Sequence, residues 1–224
     1  MPAVDHGAEA VLRRLAIVFT AFERALDATP VIRRLNGGRF ELAHYQAFLR
    51  AHRQQVKEGA LWIARAASNV SVDHLELRST LLRHAVAEHR DFRLLEADYL
   101  ATGGAVEDIR SAPMTVGSEA LSAWMFHEAS KPDPFGLLGA MWIIEGLGSF
   151  KAAEWGRSVA ARLGLPPEAV RFLSYHGEND AAHIEEFREM LAMVLPDPVV
   201  ADRIVRTAEV TARLYVLQIE DVLS

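Results

Sequence analysis

The chain has 224 residues, half of them apolar, with 24 Lys plus Arg against 30 Asp plus Glu and no Cys. A chain of that length can bury a sizeable core in one domain. The missing thiol excludes disulfides, zinc–thiolate and iron–sulfur centres, Cys-ligated haem and thiolate nucleophiles, so redox chemistry has to use His, carboxylates, hydroxyls or a bound cofactor. A net charge of −6, with no long block of Lys or Arg, argues against nucleic acid as a partner. No apolar run reaches the length of about 18 residues that a membrane span needs, and the segment from Met1 to Arg14 lacks the charged-then-apolar order of a signal peptide. The expected setting is the cytoplasm, with a small molecule rather than a membrane as partner.

Apolar residues recur at helical spacing along nearly the whole chain, and strand-like alternation is absent, which predicts an all-α protein. In chain order the periodicity predicts helices over about 8–28, 41–69, 74–102, 115–130, 134–163, 167–195 and 198–222. The breaks between them fall at Pro30, Gly37-Gly38, Asp73, Gly103-Gly104, Pro132-Asp133-Pro134, Gly164 with Pro166-Pro167, and Pro196-Asp197-Pro198. No repeat and no low-complexity linker divides the chain, so residues 1–224 read as a single bundle of about seven helices.

Three of these helices carry ligand-type residues on their apolar stripes. Wound at about 100° per residue, His176, Asp180 and His183 fall within about 60° of one another, on the stripe of Phe172, Phe187, Met190 and Val194. Glu178, Glu185, Arg188 and Glu189 mark the solvated face. Between 74 and 102, His84, Glu88 and Asp91 interrupt the stripe of Leu77, Leu81, Leu95 and Tyr99, whereas His89 lies more than a quarter-turn away. Glu145 shares a face with Leu138, Met141, Trp142, Ala152 and Val159, and Gly146, Gly148 and Ser149 beside it suit either close helix packing or ligand space. The final helix has Val205, Leu214, Val216, Leu217 and Ile219, which serve either to close the bundle or to form a homodimer.

Buried carboxylates need positive partners. Glu88, Asp91, Glu145 and Asp180 together bring four negative charges, which two divalent ions would neutralise, and mixed imidazole and carboxylate donors suit iron or manganese. Taken singly, the residues leave other readings open: Glu145 pairing with an Arg from another helix, or His84 as an ordinary core histidine. Met141, Trp142, Phe150 and Tyr175 are candidate substrate walls, and equally candidate core.

The pattern resembles the haem-oxygenase-like diiron oxidase and oxygenase family, often labelled iron-containing redox enzymes. The resemblance spans nearly the whole chain, through the segment from Leu35 to Leu49, the Leu82–Glu88 helix ending near Gly103, the Glu145 helix and, as its most specific element, His176-x3-Asp180-x2-His183. It implies a haem-oxygenase-like helical fold with Glu88, Glu145, His176, Asp180 and His183 as metal ligands. Members of that family commonly have His three residues after the first Glu, where this chain has Asp91, so the resemblance implies a modified site to which Asp91 and His84 would contribute. By the same resemblance the cofactors would be two Fe(II) ions, or manganese, with O2 as co-substrate. The activity would be hydroxylation, N-oxygenation or oxidative C–C cleavage of a small amino-acid-like or fatty-acid-like molecule in a biosynthetic pathway.

Three alternatives share this architecture. A haem oxygenase would need an axial His, for which His6 ahead of Glu9 is the candidate, and would leave the His176 stripe unexplained. A thiaminase-like hydrolase uses a Cys nucleophile, which the composition excludes. A non-catalytic interaction domain would hold its interior polar residues in a metal-free hydrogen-bond network.

Overall fold

The computed structural model describes residues 6–195 and 197–224, with the side chains of residue 6 and of residues 178–184 outside that description. Eleven α-helices make up the described chain: α1 (His6–Asp27), α2 (Pro30–Asn36), α3 (Leu42–Asn69), α4 (Leu75–Glu88), α5 (Phe92–Ala101), α6 (Val106–Ser111), α7 (Val116–Ala129), α8 (Leu137–Leu147), α9 (Ala153–Leu163), α10 (Arg171–Val194) and α11 (Pro198–Glu220). No strand occurs among the described residues. The all-α expectation therefore stands, while the count of about seven is corrected.

Each correction has a local cause. Pro30, at a point where a helix was expected to stop or start, begins α2, where its missing N–H costs nothing, and Gly37 closes that short helix, which lies outside the predicted set, three residues past Arg34. The expected helix over 74–102 divides at residues 89–91, where Asp91 N–H donates to Glu88 O at 3.2 Å and Leu94 N–H to Asp91 O at 2.9 Å in tight i→i−3 bonds. No Gly or Pro marks that break. The segment expected over 134–163 begins at Leu137 and contains a wide π-turn, Gly148–Ala152, between α8 and α9. Short α6 sits in a stretch predicted to be loop.

The long helices enclose one core. α11 packs against α8, α7 and α1, α3 packs against α4, α7 and α5, and α10 lies along α8, α9 and the π-turn. Val205, Val216 and Ile219 of α11 are buried inside this chain, so that stripe closes the bundle. At Gly139 α8 lies so close to α11 that an added Cβ would run into the Ile204 carbonyl oxygen.

The start of α10 is held from a distance. Its own N-cap residue, Val170, offers no side-chain acceptor, and the carboxylate of Asp98 on α5 takes that part, accepting from Arg171 N–H at 3.0 Å and Phe172 N–H at 2.9 Å. Tyr45 on α3 donates its hydroxyl to Ala169 O at 2.8 Å just upstream. Two buried side chains from different helices thus set where α10 begins, and with it the position of His176.

Two substitutions test this packing. Gly139→Ala forces α8 and α11 apart and is expected to lower stability by about 3 kcal/mol, a fall of roughly 10 °C in Tm by calorimetry. Asp98→Ala leaves two N–H groups of α10 without acceptors and should cost about 2 kcal/mol in a urea titration, whereas an unchanged midpoint would mean that α10 needs no cap from α5.

Candidate metal centre

Three elements converge where α10 crosses the end of α4. Glu88 closes α4, Asp91 lies in the turn before α5, and His176 sits on the second turn of α10. One ligand-type atom from each lies within 4.8 Å of the other two. The His176 Nε2–Asp91 Oδ2 distance is 3.3 Å, and His176 Nδ1 lies 2.9 Å from Phe172 O, which accepts from it and leaves Nε2 to face the carboxylates. The break in the predicted helix over 74–102 therefore does not remove Asp91 from the group; its carboxylate is buried between helix ends.

Beside this trio lies a second group. His84, 3 % exposed, places Nε2 at 3.1 Å from Glu145 Oε1, and its Nδ1 lies 3.5 Å from Glu186 Oε2. Glu145 is itself buried, and among the described residues it meets the His84 imidazole. The charges are strongly coupled. Burial pulls His84 down, but hydrogen bonds to Glu145 and Glu186, with the charges of Glu145 and Glu88, outweigh it and raise the imidazole to about 10. Burial, then repulsion from Glu145 and Asp91, raises Glu88 to about 7.

Asp180 and His183 belong to the backbone of α10, and their side chains lie outside the described residues. Glu186 was missed by the stripe reading: wound from His176 it falls about 80° away, at the edge of the stripe and not on it. His89 is exposed, as its off-stripe position implied.

A cavity of about 80 Å³ opens against the same carboxylates, with Glu88, Glu145 and His176 on one side and a face of α3 on the other. Gly148 lines it, whereas a Cβ on Gly146 would stand 2.8 Å from the Phe19 ring. The small residues near Glu145 thus serve both expected purposes, one each. The suggested walls lie elsewhere: Met141 is 1 % exposed in the core, Trp142 packs its ring 5.2 Å from Phe187, and Tyr175 and Phe150 are 43 % and 54 % exposed. The cavity is instead walled by Phe48, Trp62, Trp155, Phe172 and Ile219, with His52, Gln55 and Tyr215 as polar members. His52, a buried interruption of the α3 stripe, was open to the same stripe reading and was passed over.

The donor set fits iron or manganese: hard carboxylates and borderline imidazoles, converging from several helices, half or more buried, with no thiolate available. Similar folds are known. A domain of unknown function with a haem-oxygenase-like fold from Shewanella denitrificans superposes with a TM-score of 0.86 at 23% identity, covering 92% of this chain and 89% of that one. A TenA homologue from Pseudomonas syringae pv. tomato gives 0.75 at 14% identity, covering 96% and 93%. A TenA homologue from P. horikoshii gives 0.70 at 14% identity, covering 95% and 97%. Among curated proteins none matches significantly. The family model described as iron-containing redox enzyme matches residues 37–216, a span that includes Glu88, Asp91, Glu145 and His176, and the chain belongs to that family, on a haem-oxygenase-like fold.

Proposed function

We propose that this chain holds two ferrous ions among α4, α8 and α10 and uses them with O2 to oxidise a small organic molecule, by hydroxylation, N-oxygenation or oxidative C–C cleavage. The observation that carries the proposal is the meeting of Glu88, Asp91 and His176 within 4.8 Å, directly beside the buried His84–Glu145 pair and against a largely apolar cavity. Glu88, Asp91 and His176 would hold one ion, and Glu145, His84 and Glu186 the other. Asp180 and His183 stay in the proposed set by resemblance, and manganese suits the same donors.

When bound, an iron pair supplies the electrons that reduce dioxygen. The chain's own residues do the rest. Glu88 and Glu145 present their carboxylates to the cavity, so a substrate lying there is beside the ligands. Phe172, Leu147 and Ile144 keep that wall apolar and exclude water from a reactive site. Phe172 O, accepting from His176 Nδ1, fixes which imidazole nitrogen points at Asp91. Asp91, where the related family commonly has His, makes the first position more anionic and so favours harder, oxygen-loving ions there.

A second reading, a metal-free network in a non-catalytic domain, draws support from the same pair, because an imidazolium at His84 neutralises Glu145 with no ion present. Anaerobic titration separates the two. Folded metal-free protein should take up about two equivalents of Fe(II), with an absorption change on admitting O2; uptake below half an equivalent removes the iron reading. His176→Ala should lose at least one equivalent while keeping its far-UV helix signal, and Asp91→His should bind one equivalent about tenfold more tightly.

The pH dependence follows from the two raised groups. Metal binding needs Glu88 ionised and His84 neutral, so Fe(II) affinity should increase at least about tenfold from pH 6 to pH 7, with proton release. Stability of the metal-free protein runs the other way. Both folded values lie above the ordinary ones, so the stability these two groups contribute is present at low pH and is lost as pH rises, between 4.5 and about 7 for Glu88 and between 6.5 and about 10 for His84. Buried neutral His52, pushed down to about 3, acts in the opposite sense below 6.5. Thermal melts across pH 7–9, above the range in which His52 acts, with and without Mn(II), read both trends, and a metal-free melt that rises with pH there would contradict the His84 assignment.

A further inference from the structure

One face of α3 forms a continuous wall of the cavity: His52, Gln55, Val56, Gly59, Trp62 and Ile63 follow at helical spacing, opposite Glu88 and His176. His52 is the polar group set deepest in that wall. It is 6 % exposed, its ring stacks on Phe48 at 5.0 Å and meets Phe172 edge-on at 5.2 Å, and its Nδ1 is buried with no hydrogen-bond partner. Buried ring nitrogens are rarely left so. Burial, reinforced by the charge of His176, pushes this imidazole down to about 3, so it is neutral at physiological pH. No Lys or Arg lines the cavity among the described residues, which leaves a charged group at the α3 end without a counter-charge.

Gly59 shapes the same wall by what it lacks. A Cβ built there meets nothing within 4 Å, so open space continues over the α3 backbone in the middle of the cavity-facing stripe. The volume of about 80 Å³ is roughly three times the share of liquid volume that one water takes, about 30 Å³. It therefore suits a small organic molecule.

We infer that the cavity binds a small, mainly apolar molecule carrying one neutral hydroxyl, carbonyl or amide group, which hydrogen-bonds to His52, and that Gly59 sets the length of chain accepted. Only in calling that molecule the substrate does this rest on the proposed oxidative function. Binding is oriented: the polar group sits against α3, and the apolar body extends past Trp62 and Trp155 toward Glu88 and Glu145. An amino-acid-like zwitterion is disfavoured at the α3 end, and a fatty-acid-like chain would enter with its carboxylate toward the metal ligands.

Trp62 and Trp155 line the cavity, so intrinsic fluorescence reports its occupancy. The test titrates Fe(II)-loaded protein under anaerobic conditions, and metal-free protein in parallel, with straight-chain primary alcohols from propanol to octanol and with alkylammonium ions of matching length. Alcohols should bind at least about tenfold more tightly than ammonium ions of equal length, and His52→Leu should erase most of that preference, while His52→Gln retains it. Gly59→Leu should abolish binding of the longest alcohols and spare the shortest, with Gly59→Ala as a variant whose side chain meets open space. Equal binding of charged and neutral probes, an unaltered preference in His52→Leu, or an unaltered length limit in Gly59→Leu would overturn the inference. Fe(II) stoichiometry, measured separately on each variant, should not change. If the parent protein takes up no iron, the alcohol titration of the metal-free form still reads the cavity, so the two ideas fail independently.

Discussion

A carboxylate taken out of water needs positive charge within a few ångström, and the interior of this bundle is organised around that requirement. Glu88, Asp91 and Glu145 approach one another from two helices and a turn, in a region whose other walls are Phe, Trp, Leu and Ile. Without ions, His84 answers the demand at Glu145 and His176 at Asp91. In this arrangement imidazoles stand against the carboxylates at the positions where the proposed ions would sit. If iron binds as proposed, exchange of protons for metal would couple pH, occupancy and stability.

Such a centre works only if its contributing helices keep their relative positions. α10 carries His176 and is anchored by groups that belong to neither the metal centre nor the cavity: Asp98 caps its first N–H groups and Tyr45 binds the carbonyl of Ala169. α8 carries Glu145 and is locked against α11 at Gly139. The ligand-bearing helices are thus positioned by close backbone approach and by buried hydrogen bonds, which are stiffer than apolar packing alone.

The stripes were readable because burial follows period. Leu77, Leu81, Leu95 and Tyr99 are all buried, as are Phe172, Phe187, Met190 and Val194, and of the polar residues that interrupt them Glu88, Asp91 and His176 meet in space, with His84 paired to Glu145. What escaped the sequence has physical reasons. The break at residues 89–91 contains no Gly or Pro, so nothing in the residue types signals it. α2 and α6, at seven and six residues, are shorter than two helical turns and carry too little periodicity to detect. Glu186 lies at the border of its stripe, where exposure and burial cannot be told apart by winding alone. The cavity's walls depend on which stripe faces which, a tertiary fact: Met141 and Trp142 share Glu145's helix yet point into packed core, while Phe48 and Trp62 reach the space from across the bundle.

The π-turn over Gly148–Ala152 joins two helices that both border the cavity, Glu145 and Leu147 before it and Trp155 after it. A π-turn takes up one residue more than an α-turn within about one turn of helix, so the flanks keep their angular phase and the extra residue is carried as a local widening. Removing a single residue there would close the turn to regular α-geometry and leave Glu145 and Trp155 addressing the same space; what would be lost is the widened backbone beside the cavity at Gly148. The extra length is thus absorbed locally, and the Glu145 helix stays aligned with the wall it faces.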